Sequence, residues 1–244
     1  MGAVRPFVFF DFGGTLVDLR GIVASMAARL RANRVRGPVP LALLWATKTA
    51  ERLLGAQGPR FRAEREIAAD VLLELLEKRG RKDAHDASIE LVRDAWADFV
   101  KNCALQSDVS GTWLRNLRSH VAGLGLVTDG DSEAVAAILA HLRLTGLFDS
   151  VTISEEVRSY KPDARIYRAA LKTLGARPSQ SLFVSDATLD LQGAADLGMG
   201  VAWIRRGLFP DFAKPPPRTL VLTNVGDVEK IVRRYAKTRR FELR

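Results

Sequence analysis

Short apolar runs alternate with helix-spaced patterns along most of this chain. The runs are Val8-Phe9-Phe10, Gly125-Leu126-Val127, Ser150-Val151-Thr152-Ile153, Leu182-Phe183-Val184, Gly200-Val201-Ala202-Trp203-Ile204 and Thr219-Leu220-Val221-Leu222. They are too short for helices and too uniformly apolar for strands with one wet face, so they predict strands buried on both sides. Between them the apolar spacing predicts helices over about 132–141, 162–174, 189–196 and 227–235. Strands alternating with helices of that length form βαβ units, and the expected fold class is α/β with a parallel sheet. Right-handed crossovers bring the C-terminal strand ends to one edge, where open sheets of this kind bind ligands.

One stretch breaks the alternation. From about residue 20 to residue 103 there is no strand pattern, only four helical ones, at about 21–33, 40–54, 61–79 and 84–102. Breaks at Gly37-Pro38, between Gly55 and Pro59, and at Gly80 read as helix stops. The expected organisation is a Rossmann-like core of residues 1–19 and 104–244 with an inserted all-helical cap of residues 20–103. Pro215-Pro216-Pro217 reads as a stiff extended connector before the last strand.

Composition narrows the picture. The single cysteine, Cys103, excludes an intramolecular disulfide, and with only three histidines a zinc site is not expected. A reducing cytoplasm fits this usage. The apolar run Phe7 to Phe10 is broken at once by Asp11, which argues against a secretory leader, and no run approaches the ~20 residues needed to span a bilayer. A cytoplasmic protein without a membrane segment is the expectation. The net charge of +9 raises nucleic acid as a partner. The basic residues are spread, however, and no aromatic-interleaved basic strand offers to stack bases, so a solvated basic surface is the favoured reading. Such a field would still draw in an anionic substrate. The oligomeric state is not legible.

Four positions directly follow predicted strands. Asp11 is followed by Gly13 and Gly14, which leave room for a ligand to approach the backbone. A lone Asp of this kind also opens turns. Thr128-Asp129-Gly130 offers a hydroxyl and a glycine amide suited to an anion, although Thr128 equally suits a helix cap. Lys161 precedes Pro162 at a helix start and can point at the strand-end edge. Asp186 and Asp190, four residues apart, could bind a hard divalent cation through oxygen. Each signal is weak singly; their order and common edge carry the weight.

In that order and placement the chain resembles the haloacid dehalogenase superfamily, whose phosphatase-like members carry Asp-x-Asp-Gly-Thr, then Ser or Thr, then Lys-Pro, then Gly-Asp-x-x-x-Asp after successive strands. Residues 20–103 lie where such members insert a helical cap. The resemblance implies a magnesium-dependent phosphatase acting on a small phosphorylated metabolite. Asp11 would be the nucleophile, taking the phosphoryl group as an aspartyl-phosphate. Thr128 would hold the transferring group, Lys161 would neutralise charge, and Asp190 would orient Lys161 or a metal-bound water. Gly14, Thr15, Asp129 and Gly130 would line the substrate. Asp11, Asp186 and the Gly13 carbonyl would bind Mg2+.

The sequence departs from that pattern at Gly13, where those phosphatases carry a second aspartate as general acid. Losing such a group costs roughly 10²–10⁴ in rate. Three explanations compete: a substrate with a good leaving group such as an acyl phosphate, a substitute acid from Asp129 or from the cap, or a weak enzyme kept as a phospho-ligand or partner-binding protein. Haloacid dehalogenases proper also lack the second aspartate, and Phe183-Val184-Ser185 is similar to their fourth motif. They usually have tyrosine at the position of Gly13, and Asp186 favours the phosphatase expectation over them.

Overall fold

The computed structural model describes residues 4–206 and 213–243. Six strands, β1 (Phe7–Phe10), β2 (Gly123–Thr128), β3 (Ser150–Ile153), β4 (Ser181–Ser185), β5 (Gly200–Ile204) and β6 (Leu220–Leu222), form one parallel sheet in the order β3-β2-β1-β4-β5-β6. β2 and β4 are buried throughout, as a sheet covered on both faces requires. All six apolar runs named from the sequence form strands of this sheet. Register at their centre depends on Gly125, where a Cβ would stand 2.4 Å from the Phe9 ring. The missing side chain gives that ring its place.

Ten α-helices surround or extend the sheet among the described residues. α1 (Arg20–Ala32), α2 (Pro38–Leu53), α3 (Glu64–Glu77) and α4 (Ala84–Asn102) pack on one another after β1, and α5 (Gly111–His120) follows. Then come α6 (Ser132–His141), α7 (Ser154–Val157), α8 (Ala164–Thr173), α9 (Thr188–Asp196) and α10 (Asp227–Thr238). Three local differences from the sequence expectation have physical causes. Pro38 opens α2 instead of ending α1, because a missing N–H costs nothing in a first turn. Asp163 caps α8 through the Arg165 N–H at 2.9 Å, which moves the helix start past Pro162. α5 has no expected counterpart: it buries only Leu114 and Leu117, too sparse a stripe to read, and Ser110 caps it.

The helices after β1 are joined to the sheet domain by polar contacts at one corner. The Gln57 side-chain amide bonds both the carbonyl and the N–H of Tyr160, at 3.0 and 3.1 Å. The Tyr160 ring stacks on Phe61 and its hydroxyl donates to the Arg62 carbonyl at 2.8 Å. Asp131, in the turn before α6, accepts the backbone N–H groups of Glu64 and Arg65 at 2.9 and 3.0 Å. A carboxylate from the sheet domain thus caps α3, satisfying two of its orphan donors and facing the positive end of its dipole.

Candidate active site

All four strand-end positions converge on one cavity of about 1440 Å³, walled by the loops after β1, β2 and β4 and by α3, α4 and α6. At its floor Asp11 is 4% exposed and Lys161 5% exposed, so the charges must answer one another. The Lys161 ammonium is paired with the Asp11 carboxylate and lies 2.6 Å from Asp190 Oδ2. Burial works against the lysine's charge, but Asp11 and Asp190 outweigh it and hold the ammonium protonated well above its usual range. Burial pushes Asp11 up while Lys161 pulls it down, leaving it raised overall. Asp190 is itself held by Ser185 Oγ at 3.1 Å, and its carbonyl accepts the Tyr167 hydroxyl at 2.8 Å. Asp190 touches Lys161 from behind, a positioning geometry.

Thr15 does more than continue the turn. Its buried hydroxyl lies 2.8 Å from Asp11 Oδ2 and 3.1 Å from Asp186 Oδ1, and it accepts the Asp186 N–H at 2.9 Å. Gly14, at φ +82°, passes so close that a Cβ would be 2.5 Å from Asp186 Oδ2. Withdrawal from water, then the neighbouring Asp11 charge, pushes the Asp186 carboxyl up to about 7. Two adjacent carboxylates beside a glycine cradle suit Mg2+, which takes one or two protein carboxylates and fills the rest of its shell with water and substrate oxygens. A protein-only cage of three acidic, histidine or cysteine ligands does not occur among the described residues.

After β2, Thr128 donates to the Asp129 carbonyl at 2.8 Å, and the Gly130 N–H is taken by Ser154 Oγ at 3.0 Å. Both line the cavity with these bonds made, so their polarity is directed into the wall as much as toward a ligand. Asp129 accepts the Lys161 backbone N–H at 3.0 Å, and burial pushes it up to about 7 against the pull of Lys161. The histidines His85, His120 and His141 are all exposed and outside the cavity.

Two residues at the site were not legible. Leu19 packs against Gly13: a Cβ there would lie 3.0 Å from Leu19 Cδ1, so the leucine tip would have to give by a few tenths of an ångström. Glu64, first residue of α3, reaches in from the helical insertion, its Oε2 lying 3.6 Å from where a Gly130 Cβ would stand. Burial, then the charges of Asp131 and Asp129, push it up to about 8. A helix-start glutamate reads as a capping residue, which concealed it.

Glu64 sets a pH dependence whose sign follows from proton uptake. Folded Glu64 keeps its proton between about pH 4.5 and 8 while the unfolded chain loses it, so its presence lowers stability progressively as pH rises through that window. Glu64→Gln is expected to melt with wild type at pH 4.5. By pH 8 to 9 it gains about 1–2 kcal/mol, held below the full linkage value because the carboxyl still meets cavity water. In thermal melts that is roughly 2–8 °C. A gap that stays constant across pH would show that Glu64 titrates normally.

Sheet, strand-end carboxylates and inserted helices together define an α/β protein with a cluster of charged groups at the C-terminal edge of its parallel sheet. The chain belongs to the haloacid dehalogenase-like hydrolase family, whose sequence model matches residues 7–198. It is 32% identical over 215 residues to the (S)-2-haloacid dehalogenase of Pseudomonas sp. strain YL, covering 86% of this chain and 87% of that one. It is 24% identical over 207 residues to the glyceraldehyde 3-phosphate phosphatase of Pyrococcus furiosus, covering 84% and 82%. The structure superposes on L-2-haloacid dehalogenase from Xanthobacter autotrophicus with chloropropionic acid covalently bound, at TM-score 0.76 and 21% identity over 94% and 99% of the two chains.

Proposed function

We propose that the chain hydrolyses a 2-halogenated carboxylate through an ester on Asp11. The observation that carries this reading is Gly13 itself, which offers no proton donor two residues after the nucleophile and has the apolar Leu19 packed against it. A phosphate ester's alkoxide needs that donor. A halide leaves as a very weak base and does not, and a carbon centre sits well against a leucine. The 32% identity to a haloacid dehalogenase supports the same reading.

In the first step an Asp11 carboxylate oxygen bonds to C2, the carbon–halogen bond breaks, and the halide departs with the bonding pair. Lys161 keeps Asp11 ionised and aimed. In the second step a water oxygen adds to the Asp11 carboxyl carbon and loses a proton to a cavity carboxylate. The ester bond to the product oxygen then breaks, and that oxygen takes up a proton. The sum is one halide, one proton and a 2-hydroxy acid. Asp129, raised to about 7, is more basic than a free carboxylate while still ionised in part near neutrality, and is suited to receive the proton.

Asp186 favours a second reading, magnesium-dependent hydrolysis of a phosphorylated metabolite. Asp186, Asp11 and the Gly13 carbonyl would hold the ion, which would offset charge on a phosphoryl group. Asp129 or Glu64 would then have to replace the proton donor.

The deciding assay measures bromide from 2-bromopropionate in EDTA, beside phosphate from p-nitrophenyl phosphate and acetyl phosphate with magnesium. Bromide release unaffected by EDTA is the expected result. Magnesium-dependent phosphate release without bromide would replace this proposal with the second reading.

A further inference from the structure

Lys161 is carried by a segment that has no helix or strand ladder of its own. It lies between α7 and α8, and Pro162 beside it has no N–H to give. Ser159, Tyr160 and Lys161 are all buried, so their backbone donors need partners inside the protein. The Ser159 N–H turns back to the Ser154 carbonyl at 3.1 Å. The next two go to side chains far off in sequence: the Lys161 N–H to Asp129 at 3.0 Å and the Tyr160 N–H to Gln57 Oε1 at 3.1 Å. The same amide donates from Nε2 to the Tyr160 carbonyl at 3.0 Å. That carbonyl also takes the Asp163 N–H at 3.1 Å, so the Tyr160 N–H is the group that depends on Gln57.

Gln57 does not line the cavity. It begins a run, residues 57–65, that is anchored on the sheet domain independently of its amide. Phe61 stacks on the Tyr160 ring at 5.0 Å, the Arg62 carbonyl accepts the Tyr160 hydroxyl, and Asp131 holds the N–H groups of Glu64 and Arg65. These contacts deliver the Gln57 amide to Tyr160 in one geometry. One residue further on, the Lys161 ammonium has to reach Asp11 and Asp190 together. Its side chain is enclosed, and close packing transmits a backbone shift to the ammonium instead of absorbing it.

We infer that Gln57, on the helices inserted after β1, is a positioning residue for Lys161: its amide clamps the backbone of Tyr160 and so holds the lysine ammonium on Asp11. The inference rests on the dehalogenase reading, in which Lys161 keeps Asp11 aimed at the substrate.

The test compares wild type, Gln57→Met and Gln57→Glu by bromide release from 2-bromopropionate and by amide hydrogen exchange. Methionine keeps the length and bulk of glutamine without either bond; glutamate keeps an acceptor for the Tyr160 N–H. For Gln57→Met, kcat is expected to fall roughly 10- to 100-fold, the scale of a misplacement of about 1 Å. KM should stay within about threefold, because the loss falls on the chemical step. Exchange of the Tyr160 and Lys161 amides should speed up by about tenfold or more while β1 and β4 keep their protection. Gln57→Glu should fall between Gln57→Met and wild type in both measurements. A wild-type kcat in Gln57→Met, or a raised KM at unchanged kcat, overturns the inference. So does faster exchange spread equally through β1 and β4, which marks general loosening. If wild type releases no bromide, the dehalogenase reading fails and exchange decides the clamp alone: faster rates confined to Tyr160 and Lys161 uphold it, and unchanged rates there overturn it.

Discussion

Asp11→Asn is expected to lower turnover of every substrate by about four orders of magnitude or more, the scale on which loss of a nucleophile acts. The amide cannot form the covalent intermediate, and it removes the charge that Lys161 holds in place. Folding should survive. Lys161 keeps Asp190 as its partner, and a neutral side chain at position 11 relieves a buried carboxylate that burial had raised. The check has two parts. Wild-type enzyme quenched in acid during turnover should carry the added mass of the carboxyalkyl group esterified to Asp11, and the variant should not. Its thermal melt should fall within a few degrees of wild type. A variant that keeps substantial activity would remove Asp11 from the chemistry and both functional readings with it.

Lys161→Met is the second large effect, and it falls on stability as well as rate. Removing one member of a buried ion network leaves Asp11 and Asp190 facing each other without a cation. Such uncompensated charge costs about 3–5 kcal/mol, or some 6–20 °C in melting temperature for a chain of this size. The sign with pH is fixed. Without the ammonium, the folded pKa of Asp11 rises further above its unfolded value. Native protein then binds more protons than unfolded protein, and stability falls as pH rises. The loss should therefore be greatest above neutrality and shrink toward pH 4 to 5. Calorimetry at pH 5 and pH 8 measures it; equal losses at both would mean that the lysine contributes packing and not charge. Turnover should fall by roughly 10²–10³ or more, as when a preorganised electrostatic partner is deleted.

Much of the site was readable because its chemistry is local to strand ends. Asp11, Thr128, Lys161 and Asp186 each stand within a short step of a strand or helix start, and a parallel sheet gathers such positions at one edge whatever the details of packing. The apolar runs of β1, β2 and β4 announced themselves because a strand covered on both faces has no polar side to alternate with. Gly13 was visible as a departure for the same reason: it occupies a numbered place in a turn.

The consequence of Gly13 was not visible. That Leu19 packs against Gly13 depends on how the chain enters α1 after the turn, and five intervening residues leave that path open. The capping of α3 by Asp131 joins residues 66 and 67 positions apart. The raised pKa of Glu64 arises only where α3 is pressed against the turn after β2. Residue type and period determine which elements form and which groups stand at their ends, since propensity, burial pattern and turn chemistry act over a few residues. Only the tertiary structure decided which charges face each other, which hydroxyl bridges two carboxylates and how much empty volume lies beside them, because distances and desolvation belong to groups that the sequence keeps far apart.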